Sequence, residues 1–149
     1  MAGSGSHRPN QWAFSHGVLH HLRSSHCLRA SPYTAVLKDK MIEDRIGSEP
    51  IILVVGGDNR SVRVFRRRIR SISDVPDFYR IDHDANRKET AALFMDALTG
   101  SEWNFQGCAI AEKLKGVCLD HIDVIQDYWF DWRNYNPETT VYGIKQKIR

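Results

Sequence analysis

Two short stretches set a histidine among carboxylates: IDHD at 81–84 and LDHID at 119–123. A carboxylate beside an imidazole can raise its pKa and fix its tautomer, which is how acid–base and metal sites are commonly built. Adjacent residues of a strand point to opposite faces, so Asp82 and His83 reach one site only through a bend. Asp82 with Asp84, and His121 with Asp123, can each share a face. If the two segments converged, Asp82, His83, Asp84, His121 and Asp123 would form a metal-binding or hydrolase-like cluster. The plainer alternative is a pair of solvated strand ends.

Other candidates weigh differently. His16, His20 and His21 sit in HGVLHHL, followed by His26-Cys27. His16 and His20 at i and i+4 could share a metal on one helix face, but the acid of an H-E-x-x-H motif is missing. Asp127 and Asp131 are one helical turn apart, and capping of an N-terminus suits Asp127 better than catalysis. Arg63, Arg66, Arg67, Arg68 and Arg70 form a run without an acid between 60 and 70. Arginine binds phosphates bidentately and stacks on bases, which makes this run the candidate polyanion surface. Nucleic-acid modules interleave such charge with exposed aromatics, and Phe65 alone fills that role here, so the pattern argues against nucleic acid. An edge strand protected by charge accounts for the same residues. The chain lacks a G-x-S-x-G, a P-loop and a dinucleotide fingerprint, so no cofactor is implied.

Composition narrows the class. With 149 residues, 42% hydrophobic and 26% charged, the chain suits one folded domain that needs neither metal nor disulfide to hold it. The net charge of +3 is too mild to imply a polyanionic partner by itself. Its distribution is more informative: the Arg run is basic, while Asp120, Asp123, Asp127 and Asp131 make an acidic stretch. Such polarity could join two copies of the chain in a homo-oligomer. No apolar run approaches the roughly 20 residues of a membrane span, and no signal-peptide pattern is visible. MAGSGSH resembles in part a cloning scar, and the compartment stays open. Three cysteines are too few for a disulfide framework. A hairpin centred on Lys113 would nevertheless set Cys108 opposite Cys118, near enough for a bridge, and two reduced half-buried thiols are the alternative.

The elements that would carry these residues are mostly strands. Residues 1–32 read as a loosely organised segment, with Val18, Leu19 and Leu22 spaced for a short helical face. Leu37, Met41, Ile42 and Ile46 suggest a helix ended by Gly47-Ser48-Glu49-Pro50. IILVV at 51–55 is a buried strand, GGDN at 56–59 a turn, and SVRVF at 61–65 a half-exposed strand, together a hairpin. FYRID (78–82), ALFMDA (92–97), EWNFQ (102–106), VCLDHIDVIQ (117–126) and TTVYGI (139–144) supply further strands. Tyr128, Trp132 and Tyr135 fall at i, i+4 and i+7, which suits a short helix laid on a core. The expected architecture is mainly β, an antiparallel barrel or small sandwich with one or two short helices, spanning 33–145 and ending in a basic tail at 146–149.

The segment from Asp96 to Gly143 resembles a bacterial and archaeal family, the domain of unknown function three-one-seven-nine. The family's D-x-x-T-G-S-x-W corresponds to Asp96, Thr99, Gly100, Ser101 and Trp103. Its G-x-A falls on Gly107 and Ala109, its G-x-x-L on Gly116 and Leu119. W-F-x-W and P-x-T fall on Trp129, Phe130, Trp132, Pro137 and Thr139. Where many members carry C-P-x-C-G after the strand, this chain has Val55-Gly56-Gly57-Asp58-Asn59, so any thiol or metal chemistry of those cysteines is lost here. The resemblance implies no activity. In the opening motif, Thr99 and Gly100 suit a tight turn, and Trp103 and Phe105 supply core area. The sequence thus favours a non-catalytic binding or interaction module, with the Asp/His cluster and the Arg run as the two alternatives.

Overall fold

IILVV is buried along its whole length, and the fold is built around that fact. A strand that is apolar at every position has no side to turn to water, so both of its faces must be covered. The computed structural model describes residues 16–22, 27–81, 91–128, 132 and 134–143. In it, β4 (Glu49–Val55) lies between β3 (Met41–Ile46) and β5 (Val62–Arg66), with β10 (His121–Ile122) beyond β5. Pairing along this sheet is antiparallel throughout. Two further four-stranded sheets supply the covers. One has the order β11-β1-β2-β12, from β11 (Val124–Tyr128), β1 (His16–Leu22), β2 (Cys27–Pro32) and β12 (Thr140–Val141). The other is a meander of β6 (Phe78–Arg80), β7 (Ala92–Asp96), β8 (Glu102–Asn104) and β9 (Ala109–Ala111).

Alternation along β4 divides the interior in two. Ile51, Leu53 and Val55 join Ile42, Ile46, Val62, Val64 and Ile122, with Cys27 and Val124 of the first cover packed against them. Ile52 and Val54 join Phe65, Phe78, Phe94, Trp103 and Phe105. Each buried aliphatic of β4 is worth about 1.5–3 kcal/mol relative to exposure. Specific bonds tie the layers. Arg29 of β2 grips Asp44 of β3 bidentately at 2.7 and 2.9 Å. Arg80 of β6 donates to the carbonyls of Lys40 (3.1 Å) and Val55, and Glu43 accepts the Phe78 amide. The sheets are open, so the sandwich alternative holds and the closed barrel does not.

Several local expectations change. The helix expected through Ile46 is α1 (Tyr33–Asp39), which stops where Lys40 turns left-handed at φ 61°. Ile42 and Ile46 then face the core from a strand instead. The helical face expected at Val18, Leu19 and Leu22 is strand β1, paired on both sides by β2 and β11. The aromatic helix face is not formed as expected: Tyr128 ends β11 and is exposed, and Tyr135 is 86% exposed. Trp132 alone is held inward, its indole N–H donating to Thr139 Oγ1 at 2.9 Å. Asp127 pairs with Gly17 within a strand, so it caps no helix; Asp131 lies outside the described residues.

The GGDN turn is held by its aspartate. Asp58 accepts from the amides of Arg60 and Ser61, both at 2.9 Å, and from the Ser61 hydroxyl. The hydrogen bonds from Ser61, side chain first and then backbone, together with that from Arg60, hold the Asp58 carboxyl below its ordinary 3.8. A depressed folded value means that the stabilisation is complete above the unfolded pKa and is lost as pH falls through the folded one. Urea midpoints of wild type and Asp58→Asn should therefore differ at pH 6, and the difference should shrink as pH falls through the carboxylate range and below it. A constant gap across that window would show that the charge plays no part.

Candidate functional site

Asp96 ends β7 with its side chain wholly buried, a costly place for a carboxylate unless its oxygens are satisfied. They are. Thr99 donates to it through its amide at 2.6 Å and through its hydroxyl at 2.8–2.9 Å. The Trp103 indole N–H adds a third donor at 3.0 Å. The Thr99 and Ser101 hydroxyls are 2.7 Å apart, and Ser101 Oγ accepts the Leu114 amide at 3.0 Å. With Thr99 giving its proton to Asp96, a directional chain runs from Leu114 through Ser101 and Thr99 to the carboxylate. The backbone closes the turn, with Gly100 N–H on Asp96 O at 3.0 Å and Gly100 at φ 68°. D-x-x-T-G-S-x-W is thus a structural knot. Trp103, fully buried, and Phe105 fill the core behind it. The sequence reading found the turn and the core aromatics but missed that Asp96 is the acceptor organising both.

Beside the knot, Cys108 and Cys118 face each other as an isolated antiparallel bridge pair. The flanking bonds, Ala109 N–H to Val117 O and Leu119 N–H to Gly107 O, make theirs a non-hydrogen-bonded pair, where side chains approach most closely. Their sulfurs are bonded at 2.06 Å across a separation of 10 residues. Closing a loop of that size contributes about 2–3 kcal/mol through the unfolded chain. Replacing both cysteines with alanine should lower the urea-extrapolated stability by that amount. Wild type in reducing agent should match the double variant, and a difference between the two would contradict the bridge.

The nominated histidine and aspartate residues are only partly in view. Asp82, His83 and Asp84 lie outside the described residues. His121 Nδ1 is 3.9 Å from Asp123, both exposed, and its ring meets Phe65 edge-on at 5.6 Å. His16 and His20 lie on a strand, so their backbones are roughly 13 Å apart, not one helical turn of about 6 Å. The geometry that made them a metal pair is therefore absent.

The arginine run is where the structure brings most together. Arg63 donates to Phe105 O at 3.2 Å and lies 4.4 Å over the Phe105 ring, committed to the core edge. Arg67 is tied to Pro76 O, Asp77 and Glu43. Arg66, Arg68 and Arg70 instead line a cleft of about 310 Å³, with Ile69, Ile72 and Val75 as its apolar wall and Glu49, Asp74 and Asp120 among the polar lining. Asp120 arrives because β10 pairs with β5, and its carbonyl accepts the Arg66 amide at 2.9 Å. The basic strand and part of the acidic stretch thus meet within one chain. The sequence could name the arginines but not the cleft, whose lining comes from segments near 49, 66–75 and 120.

Comparison with known proteins adds the family. No curated protein and no solved structure is similar enough to match. A family described as a protein of unknown function, DUF3179, matches residues 7–139. That span takes in the Asp96 knot, the paired cysteines and the arginine cleft together, and the chain belongs to the DUF3179 family.

Proposed function

We propose that this chain is a non-catalytic β-sandwich module that acts by binding, with the cleft at the end of β5 as its binding surface. One observation carries the reading. The polar groups of the family-like motif are consumed in internal bonds around Asp96, whereas three arginines and an apolar wall remain gathered around an open cleft. A concave, part-apolar surface with a few convergent polar groups is what a small-molecule site requires. A homo-oligomer held by basic and acidic patches draws less support, since Arg70 and Asp120 already face each other at 3.7 Å in one chain.

The test is amide chemical-shift mapping with a library of small molecules on ¹⁵N-labelled protein. Saturable shifts should cluster at residues 66–75 and 120, and the bound compound should be recovered unchanged. Conversion of the compound, or shifts gathered elsewhere, would replace this reading with the hydrolase-like alternative or with another surface.

A further inference from the structure

The lining of the cleft restricts what it can hold. Arg68 lies 3.6 Å from Glu49 and Arg70 lies 3.7 Å from Asp120, both beyond hydrogen-bond range, and both arginines are exposed. These are loose, solvent-screened pairs. Arg66 differs. It is half-buried, its backbone is fixed opposite Ile51 and bonded to Asp120, and among the described residues its guanidinium has no hydrogen bond or ion pair. A partly desolvated guanidinium with no carboxylate within ion-pair distance is a strong donor site for a carboxylate or phosphate, which it meets with two parallel hydrogen bonds. Beside it, Ile69, Ile72 and Val75 offer aliphatic surface, without the aromatic platform that bases need. The volume, about 310 Å³, is at the small end of ligand pockets.

We infer that the cleft binds a small organic anion, a carboxylate or phosphate monoester on a short apolar body, with Arg66 holding the anion and Ile69, Ile72 and Val75 covering the body. The inference rests on the binding reading above and gives it a ligand class. Long polyanions fit poorly, because Glu49, Asp74 and Asp120 share the lining with the three arginines.

Calorimetric titration at low ionic strength with hexanoate, hexyl phosphate, hexanol and hexylamine tests it. Hexanoate or hexyl phosphate should bind at least about tenfold more tightly than hexanol or hexylamine, as expected for a charge-assisted bidentate pair. The tighter of the two identifies the headgroup. Arg66→Gln should weaken that binding about tenfold or more with an unchanged melting curve, and Arg66→Lys should recover part of it. Ser73→Trp, at an exposed lining position, should block it without touching the anion anchor. Equal binding of hexylamine, or full binding by Arg66→Gln, overturns the inference. If hexanol binds as tightly as hexanoate and Ser73→Trp blocks both, the anion class falls while the binding cleft stands.

Discussion

Replacing Gly107 with alanine is expected to destabilise the protein by about 2–5 kcal/mol, the sum of two separate costs. Gly107 has φ +81°, where a side chain costs about 1–2 kcal/mol. An added Cβ would also lie 2.4 Å from Cε1 of Phe65, a ring that is itself buried in the second core. Overpacking of that kind costs about 1–3 kcal/mol. Gly116 provides the control. Its φ is +91°, but nothing lies within 4 Å of where its Cβ would be, so Gly116→Ala should show the backbone cost alone. In a domain of this size the Gly107 variant should melt roughly 5–15 °C lower. Equal losses in the two variants would mean that Phe65 does not press on this turn.

Asp96→Ala is the second large effect. Removing the carboxylate strands the Trp103 indole N–H in the interior and leaves the half-buried Thr99 amide without its acceptor, and an unsatisfied buried donor costs about 1–3 kcal/mol. A loss of about 2–4 kcal/mol follows, with the buried indole contributing the larger share, read from urea denaturation. The informative measurement is a double-mutant cycle with Trp103→Phe, which keeps most of the buried ring and removes the donor. If the indole bond is as described, the two losses should fall short of additivity by about 1 kcal/mol or more. Strict additivity would show that Asp96 and Trp103 stabilise the fold independently, and the knot would have to be redrawn around Thr99 and Ser101.

How far these features could be read from the chain depended on whether their physics is local. IILVV announces a doubly covered strand because five consecutive apolar residues leave no other choice. GGDN announces its turn because glycine and aspartate supply the geometry and the bonds themselves. Ile42 and Ile46 misled, because a spacing of four fits one face of a helix and one face of a strand equally. The pairing with β4, which sets Ile42 opposite Leu53 and Ile46 opposite Glu49, decided the matter. The strand character of HGVLHHL was illegible for the same reason: it comes from pairing with β2 and with β11, the latter more than a hundred residues away. Tyr128, Trp132 and Tyr135 had helical spacing, yet Tyr128 ends a strand and Tyr135 stays exposed, while Trp132 bonds the buried Thr139. The cleft was hidden because Glu49, Arg66 and Asp120 are remote in sequence, and only the order β10-β5-β4 makes them neighbours.

The first cover sheet is assembled from the two ends of the chain. β1 pairs with β11, and β12 runs parallel to β2, with Thr140 opposite Arg29. On the ribosome, the hairpin of β4 and β5 emerges long before that cover can close. One flank of that aliphatic strand then has only α1, through Val36, and the β1–β2 hairpin to lie against, and lacks Val124 and Tyr142 until about residue 142 has been made. Such late, distant pairing slows folding and leaves an aggregation-prone intermediate waiting. Shortening the chain by a dozen residues at its C-terminus should therefore harm recovery from inclusion bodies more than the loss of so short a strand as β12 would suggest.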